Sequence, residues 1–225
     1  MRTMNLAVIA ILIGIPGFLL PLAAADTHPD LKFNSTEKAA YLDPKMAELI
    51  RPGLMYKVVS VEIAADGTLR CRFRITDPFG APLDLASIET PGAIRASFIL
   101  ARIPKGQTQY SAYTVRTVTS PITSKSAIQA SADTGGTTTT VRVGEYIYTF
   151  GTKLPAGYDK TVTHTIGIYG SRNLTEFDLG TQYADMTYNW VPDGSQVKVV
   201  RDVIRTDACN RCHQGLGLHG GSRRS

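Results

Sequence analysis

Cysteine and histidine are scarce in this chain, three and four in 225 residues, yet two cysteines and a histidine fall together in Cys209-Asn210-Arg211-Cys212-His213. Positions three apart lie on one face of a helical turn. Both thiols can therefore form thioethers with the two vinyl groups on one porphyrin edge, while the histidine that follows reaches the iron. This is the attachment pattern of c-type haem, with Cys209 and Cys212 as covalent anchors and His213 as the proximal iron ligand. One covalent haem c site is expected. Three other chemistries stay open for the same residues. Zinc would recruit His219 as a fourth ligand. A redox dithiol would call for a βαβ context, which the preceding sequence does not offer. A disulfide between cysteines three apart would be strained, better suited to exchange than to stapling.

His219 stands six residues after His213, in Leu218-His219-Gly220-Gly221. An imidazole on the second axial face would close the iron's coordination sphere and suit it to electron transfer, because no position is left for a substrate. Six residues reach only narrowly around a porphyrin edge. A neighbouring haem is thus an equal destination for this possible axial ligand, and an exposed histidine in a Gly-rich tail is the plain alternative.

Such a motif is loaded only outside the cytoplasmic membrane, and the start of the chain agrees. Arg2 supplies a positive residue, Leu6 to Leu20 an apolar run, and Ala23-Ala24-Ala25 small residues before Asp26. That is the layout of a secretion signal over residues 1–25. Pro16, Gly17 and Pro21 interrupt the run and disfavour the alternative of a retained membrane anchor. The expected location is the periplasm or the cell surface on the exterior of the outer membrane. No cysteine lies near the cleavage point to carry a lipid.

The elements that must position the motif are strands. The composition, 43% hydrophobic and 19% charged, is that of a folded protein. A lead-in over residues 26–53 contains a helix-compatible segment from Thr36 to Ile50, ended by Arg51-Pro52-Gly53. From residue 54 the period becomes two. Leu69, Cys71, Phe73 and Ile75 face one way and Arg70, Arg72, Arg74 and Thr76 the other, a half-buried strand with three arginines in water, paired as a hairpin with Leu54 to Ile63. In this alternation Cys71 is a small buried apolar residue. Further strands are expected at Ala93 to Ile103, Gln109 to Val118, Ser126 to Ser131, Thr137 to Val143, Glu145 to Phe150, His164 to Tyr169 and Thr187 to Trp190. Tyr146, Tyr148 and Phe150 share a face and read as core or partly exposed packing rather than a ligand-stacking platform, and His164 reads as a packed or edge strand residue rather than a ligand. Asp133-Thr134-Gly135-Gly136 is a loop without a phosphate-cradling context. The fold expected is all-β, a Greek-key β-sandwich or split barrel over residues 54–200, followed by a short haem-binding C-terminal segment over 201–225.

The net charge of +5 is mild. Lys198, Arg201, Arg205, Arg211, Arg223 and Arg224 gather near the motif, where they would balance haem propionates or form a solvated face. No nucleic-acid motif is present, and basic residues are not interleaved with aromatics as a stacking groove requires, so a nucleic-acid partner is not expected. No acid-base pair or nucleophile stands in a recognisable setting, so the chain does not read as an enzyme.

Three stretches resemble a known family: Tyr146-Ile147-Tyr148-Thr149-Phe150, Leu154-Pro155-Ala156-Gly157-Tyr158-Asp159 and His164-Thr165-Ile166-Gly167-Ile168-Tyr169. They look like the late strands of the N-terminal β domain in decahaem outer-membrane c-type cytochromes of the OmcA/MtrC type. The resemblance continues through Val191-Pro192-Asp193-Gly194-Ser195 and Thr206-Asp207-Ala208 into the haem motif, and closes with Leu218 to Arg223. It implies a Greek-key β domain ahead of a multihaem domain at the cell surface, where electrons hop between bis-histidine haems to extracellular acceptors. It also implies that Cys209, Cys212 and His213 correspond to the family's first haem site, and that His219 belongs to its His-Gly-Gly element. The family carries a run of such motifs where this sequence carries one. A truncated or split member, a fragment, or a single-haem derivative docking onto a haem-bearing partner is therefore expected.

Two functional classes follow. The first is an exported electron-transfer protein using one haem as a one-electron relay to a redox partner protein, among them other multihaem cytochromes, an outer-membrane conduit or an extracellular acceptor. The alternative is a secreted β-sandwich that binds a partner or surface and carries a vestigial haem motif.

Overall fold

The computed structural model describes Phe33, Ser35 and residues 37–201, all within the compact unit Leu31–Ser225. The expected signal at 1–25 and the residues Cys209, Cys212, His213 and His219 lie outside the described residues.

The lead-in holds a 3-10 turn, Lys38–Tyr41, and one helical element, α1 (Pro44–Ile50). A single helix from Thr36 to Ile50 does not form, because the proline ring at 44 drives the residue before it out of the helical region. Asp43 accordingly takes an extended conformation and caps α1, its carboxylate accepting from the Lys45 amide at 2.9 Å. Arg51, at a φ of 49°, ends the helix.

Ten strands follow, in chain order β1 (Met55–Ile63), β2 (Leu69–Thr76), β3 (Ile94–Arg102), β4 (Ser111–Ala112), β5 (Val115–Thr119), β6 (Ser126–Ala130), β7 (Thr137–Arg142), β8 (Glu145–Thr149), β9 (His164–Leu174) and β10 (Gly180–Trp190). They form two four-stranded antiparallel sheets, in the orders β1-β2-β8-β7 and β10-β9-β3-β4, with β5 and β6 as a separate ribbon. The β7–β8 hairpin returns to lie beside β2, and β9 lies beside β3, after excursions through the opposite sheet. The fold is an all-β sandwich of two facing sheets.

Alternation decides what fills it. Leu69, Cys71, Phe73 and Ile75 on β2 are each 0% exposed, whereas Arg70, Arg72 and Arg74 face solvent. From the other sheet come Ile94, Phe98, Leu100, Ile166 and Ile168. Phe98 stacks on Tyr148 with ring centroids 3.8 Å apart, and meets Phe73 and Phe150 edge-on. Truncating Phe98 to alanine would cost about 3–5 kcal/mol, since interdigitated rings leave a cavity that cannot close. Tyr146, Tyr148 and Phe150 are core residues, as their shared face implies. The Tyr146 hydroxyl keeps its polarity satisfied by accepting from the Leu85 amide and donating to the Leu83 carbonyl. Burial pushes the Cys71 thiol up to about 12, which leaves it a protonated core residue.

Two expectations change in detail. The strand expected from Gln109 to Val118 is divided, because the amides of Tyr113 and Thr114 both donate to the Leu100 carbonyl and the Thr114 hydroxyl accepts from the Leu100 amide. The chain thereby bends around β3, leaving β4 in the sheet and β5 in the ribbon. The segments expected at His164 to Tyr169 and Thr187 to Trp190 are the far ends of an eleven-residue antiparallel pair, β9 with β10. Gly170 lies within it because a side chain there would collide with the Arg95 carbonyl and the Tyr56 hydroxyl, which are hydrogen-bonded to each other.

Candidate functional site

The chain leaves one end of the second sheet ahead of Cys209-Asn210-Arg211-Cys212-His213, and that end is built as follows. Strand register places Arg102 (β3), His164 (β9) and Trp190 (β10) in one row, on the face that carries Phe98, Leu100, Ile166 and Ile168. His164 is 0% exposed. Its Nδ1 lies 3.0 Å from the Val162 carbonyl, which can only accept, so Nδ1 carries the proton and Nε2 accepts from the Tyr113 hydroxyl at 3.1 Å. The Tyr113 ring stacks on the imidazole, Tyr158 meets it edge-on, and Trp190 lies tilted against it. The Arg102 guanidinium sits 5.4 Å over the Tyr113 ring. Burial lowers the His164 pKa and raises that of Tyr113, so both are neutral near pH 7.

Beyond Trp190 the backbone is tied down across this end. The Asp193 amide donates to the Lys160 carbonyl, and the Thr163 hydroxyl donates to the Val199 carbonyl at 2.7 Å. The Ser195 hydroxyl and amide hold the Asp193 carboxyl below its ordinary pKa. A groove of about 220 Å³ runs between this segment and the loop after β3, lined among others by Ile103, Lys105, Thr163, Val191, Lys198 and Val199. The last described residue, Arg201, rests its guanidinium 5.8 Å over the Tyr110 ring. The start of the C-terminal segment is thus anchored to the sandwich beside three cationic residues, Lys105, Lys198 and Arg201.

Of the two positions the sequence leaves for His164, packed or at an edge, the structure has the packed one. Tyr113, Tyr158 and Trp190 gave no signal of their association, since they come from three separate segments joined only by sheet pairing. The structure does not describe how Cys209, Cys212, His213 and His219 are arranged. It does show which groups are unavailable to iron. Among the described residues the one histidine, His164, has both ring nitrogens engaged, and the one cysteine, Cys71, is buried. Among the described residues no cluster of three or more His, Cys, Asp or Glu side chains could hold a metal. The donor set at 209–213 fits haem c by its chemistry, two thiols and an imidazole.

No protein-family model matches the chain, and no curated protein matches it in sequence. Solved structures do, two of them as follows. The outer membrane decaheme cytochrome OmcA aligns over 77% of this chain with a TM-score of 0.55 and 20% identity, and MtrC from Shewanella baltica OS185 aligns over 76% with a TM-score of 0.51 and 21% identity. In each case the aligned part is 28% of the neighbour's length. At this identity the likeness is one of fold. This chain shares its β-sandwich fold with part of these two proteins, the first of them a decaheme cytochrome of the outer membrane.

Proposed function

We propose that the protein is an exported c-type cytochrome that carries electrons through one covalently bound haem, in extracellular electron transfer at the periplasm or outer-membrane surface. The observation that carries this reading is the Cys209-Asn210-Arg211-Cys212-His213 motif, a few residues beyond a segment pinned to a sandwich of cytochrome-like fold. Cys209 and Cys212 would hold the group covalently, His213 would ligate its iron, and His219 would ligate the same or a neighbouring iron. When bound, the haem supplies a one-electron change at iron. The chain's own contribution is positioning and charge. Thr163 fixes the start of the segment, while Lys105, Lys198 and Arg201 offer positive charge to acidic groups at that end. The redox partners fitting this reading are other multihaem cytochromes or an outer-membrane conduit.

A pyridine haemochrome spectrum with intact mass, on protein purified from the exported fraction of a host with c-type maturation, tests it. A mass increase of about 0.6 kDa and a c-type spectrum are expected. Cys209→Ala/Cys212→Ala should abolish covalent attachment, and His213→Ala should remove the low-spin spectrum. Folded exported protein without haem under these conditions would refute the cytochrome reading. It would leave the second one, a partner- or surface-binding sandwich, which the arginine-bearing outer face of β2 favours.

A further inference from the structure

The two sheets expose different outer faces. Register on the β10-β9-β3 side gives one row of Ala101, Thr165 and Asn189, in which Ala101 and Thr165 are buried, then a row of Ile99, Gly167 and Thr187. Next come Ser97, Tyr169 and Asp185, then Arg95, Ser171 and Tyr183, a face with one cation and one carboxylate. On the β1-β2-β8-β7 side one row reads Lys57, Arg74, Glu145, Arg142 across the four strands; the next reads Ser60, Arg72, Ile147, Thr139, and the third Glu62, Arg70, Thr149, Thr137. Five cations thus share a face with two carboxylates, and one of those is covered. Glu145 is only 2% exposed, held by Arg72 at 2.6 Å, Arg142 at 2.6 Å and Arg74 at 3.6 Å. The arginines above it remain 43–65% exposed at their side chains. Arg72 and Arg74 approach Glu145 through Nε and keep nearly half of their side-chain surface in solvent. Arg70 and Lys57 make no ion pair with a described residue.

Glu145 therefore acts as an internal clamp. It sets the guanidinium planes without neutralising the face, and a sheet, unlike a loop, keeps their spacing fixed. Arg70, Arg72 and Arg74 recur every second residue along β2, about 6.8 Å apart, which is also the two-residue repeat of any extended peptide. Guanidinium forks bind carboxylates bidentately. The threonines at 137, 139 and 149 flank the row with hydroxyls. We infer that this face is a docking surface for an acidic, extended segment of a partner protein, laid along β2 with its alternate carboxylates on Arg70, Arg72 and Arg74. The inference goes beyond the haem reading and stands without it, because no residue of the motif takes part.

The test uses the full exported chain and a fluorescein-labelled peptide alternating glutamate with serine, followed by anisotropy at low and high salt. Saturable binding that weakens as salt is added is expected, with none to the peptide carrying glutamine for glutamate. Lys57→Ser/Arg70→Ser touches neither Glu145 nor the core, so it should keep the melting temperature while weakening binding at least about tenfold. Lys38→Ser/Lys153→Ser, an equal charge change on residues paired with Asp178 and Asp66 elsewhere, should leave binding unchanged. Equal weakening by the two double variants would reduce the effect to net charge and overturn the proposal. So would absence of peptide binding, or binding only to heparin or to phosphatidylglycerol vesicles. Haem content does not enter the readout, so failure here and failure of the cytochrome reading are separately visible.

Discussion

Strand β9 carries a fully buried polar side chain near each end, Arg172 at one and His164 at the other, and the two solve burial differently. Arg172 stays charged, although burial brings its pKa down to about 10. Its guanidinium makes five hydrogen bonds, all to backbone carbonyls of the lead-in and of the loop before β3: Ile50, Arg51, Gly53 and Pro91. Two of these, Ile50 and Arg51, are carbonyls at the end of α1, which has no further helical turn to donate to them. His164 stays neutral and makes two bonds, one to backbone and one to the Tyr113 side chain, inside a shell of aromatic rings. One end therefore clamps main chain that has already been laid down. The other fills space beneath the segment that follows β10.

The largest effect should come from breaking the clamp. Arg172→Met keeps the length of the side chain and strands four carbonyls without donors, so a loss of more than about 3 kcal/mol is expected in denaturant unfolding. A loss below about 1 kcal/mol would show that water replaces the guanidinium and that the clamp is not structural. His164→Gln should cost less, about 1–3 kcal/mol, because it leaves fewer groups unpaired. It should also change the pH profile. Burial holds the His164 pKa below its ordinary value, so the unfolded chain takes up a proton that the folded chain resists. The contribution is complete above the unfolded pKa of about 6.5 and drains as pH falls below it. Melting curves through this window should fall for the parent and flatten for His164→Gln; parallel profiles would mean that His164 is protonated in place. The smallest effect is at an exposed link to the lead-in, the Lys38–Asp178 ion pair, whose side chains are 67% and 91% exposed. Lys38→Ala should leave the melting temperature unmoved, since screening and side-chain entropy cancel such pairs.

The same two residues mark how far the sequence could be read. His164 lies in a strand pattern, which makes it a packed or edge residue, and the pairing of β9 between β3 and β10 puts it inside. Arg172 lay in Gly170-Ser171-Arg172-Asn173, a run that looks like a break. The strand was therefore expected to end at Tyr169, although it continues to Leu174. Periodicity sorts residues by side-chain polarity, and it fails where a buried charge is satisfied by carbonyls far along the chain. β10 was shortened for a related reason, since its exposures are mixed and its pattern is not two-sided. At the site, the cationic and apolar content of the end of the sandwich was visible as composition. Its assembly was not, because Tyr113, His164 and Trp190 meet only through pairing of β3, β9 and β10.

The sequence by itself determined the local facts: the inward face of β2 with Cys71 among its residues, the arginines on its outer face, and an all-β class. Each depends on neighbours within a few positions, where covalent geometry fixes which side chains share a side. The tertiary structure decided the division into two sheets, the seating of Arg172 on the lead-in carbonyls, the tautomer of His164 and the grouping of Arg72, Arg74 and Arg142 around Glu145. These rest on contacts between segments tens of residues apart, whose register is set by the fit of the whole core and is not encoded in any one stretch.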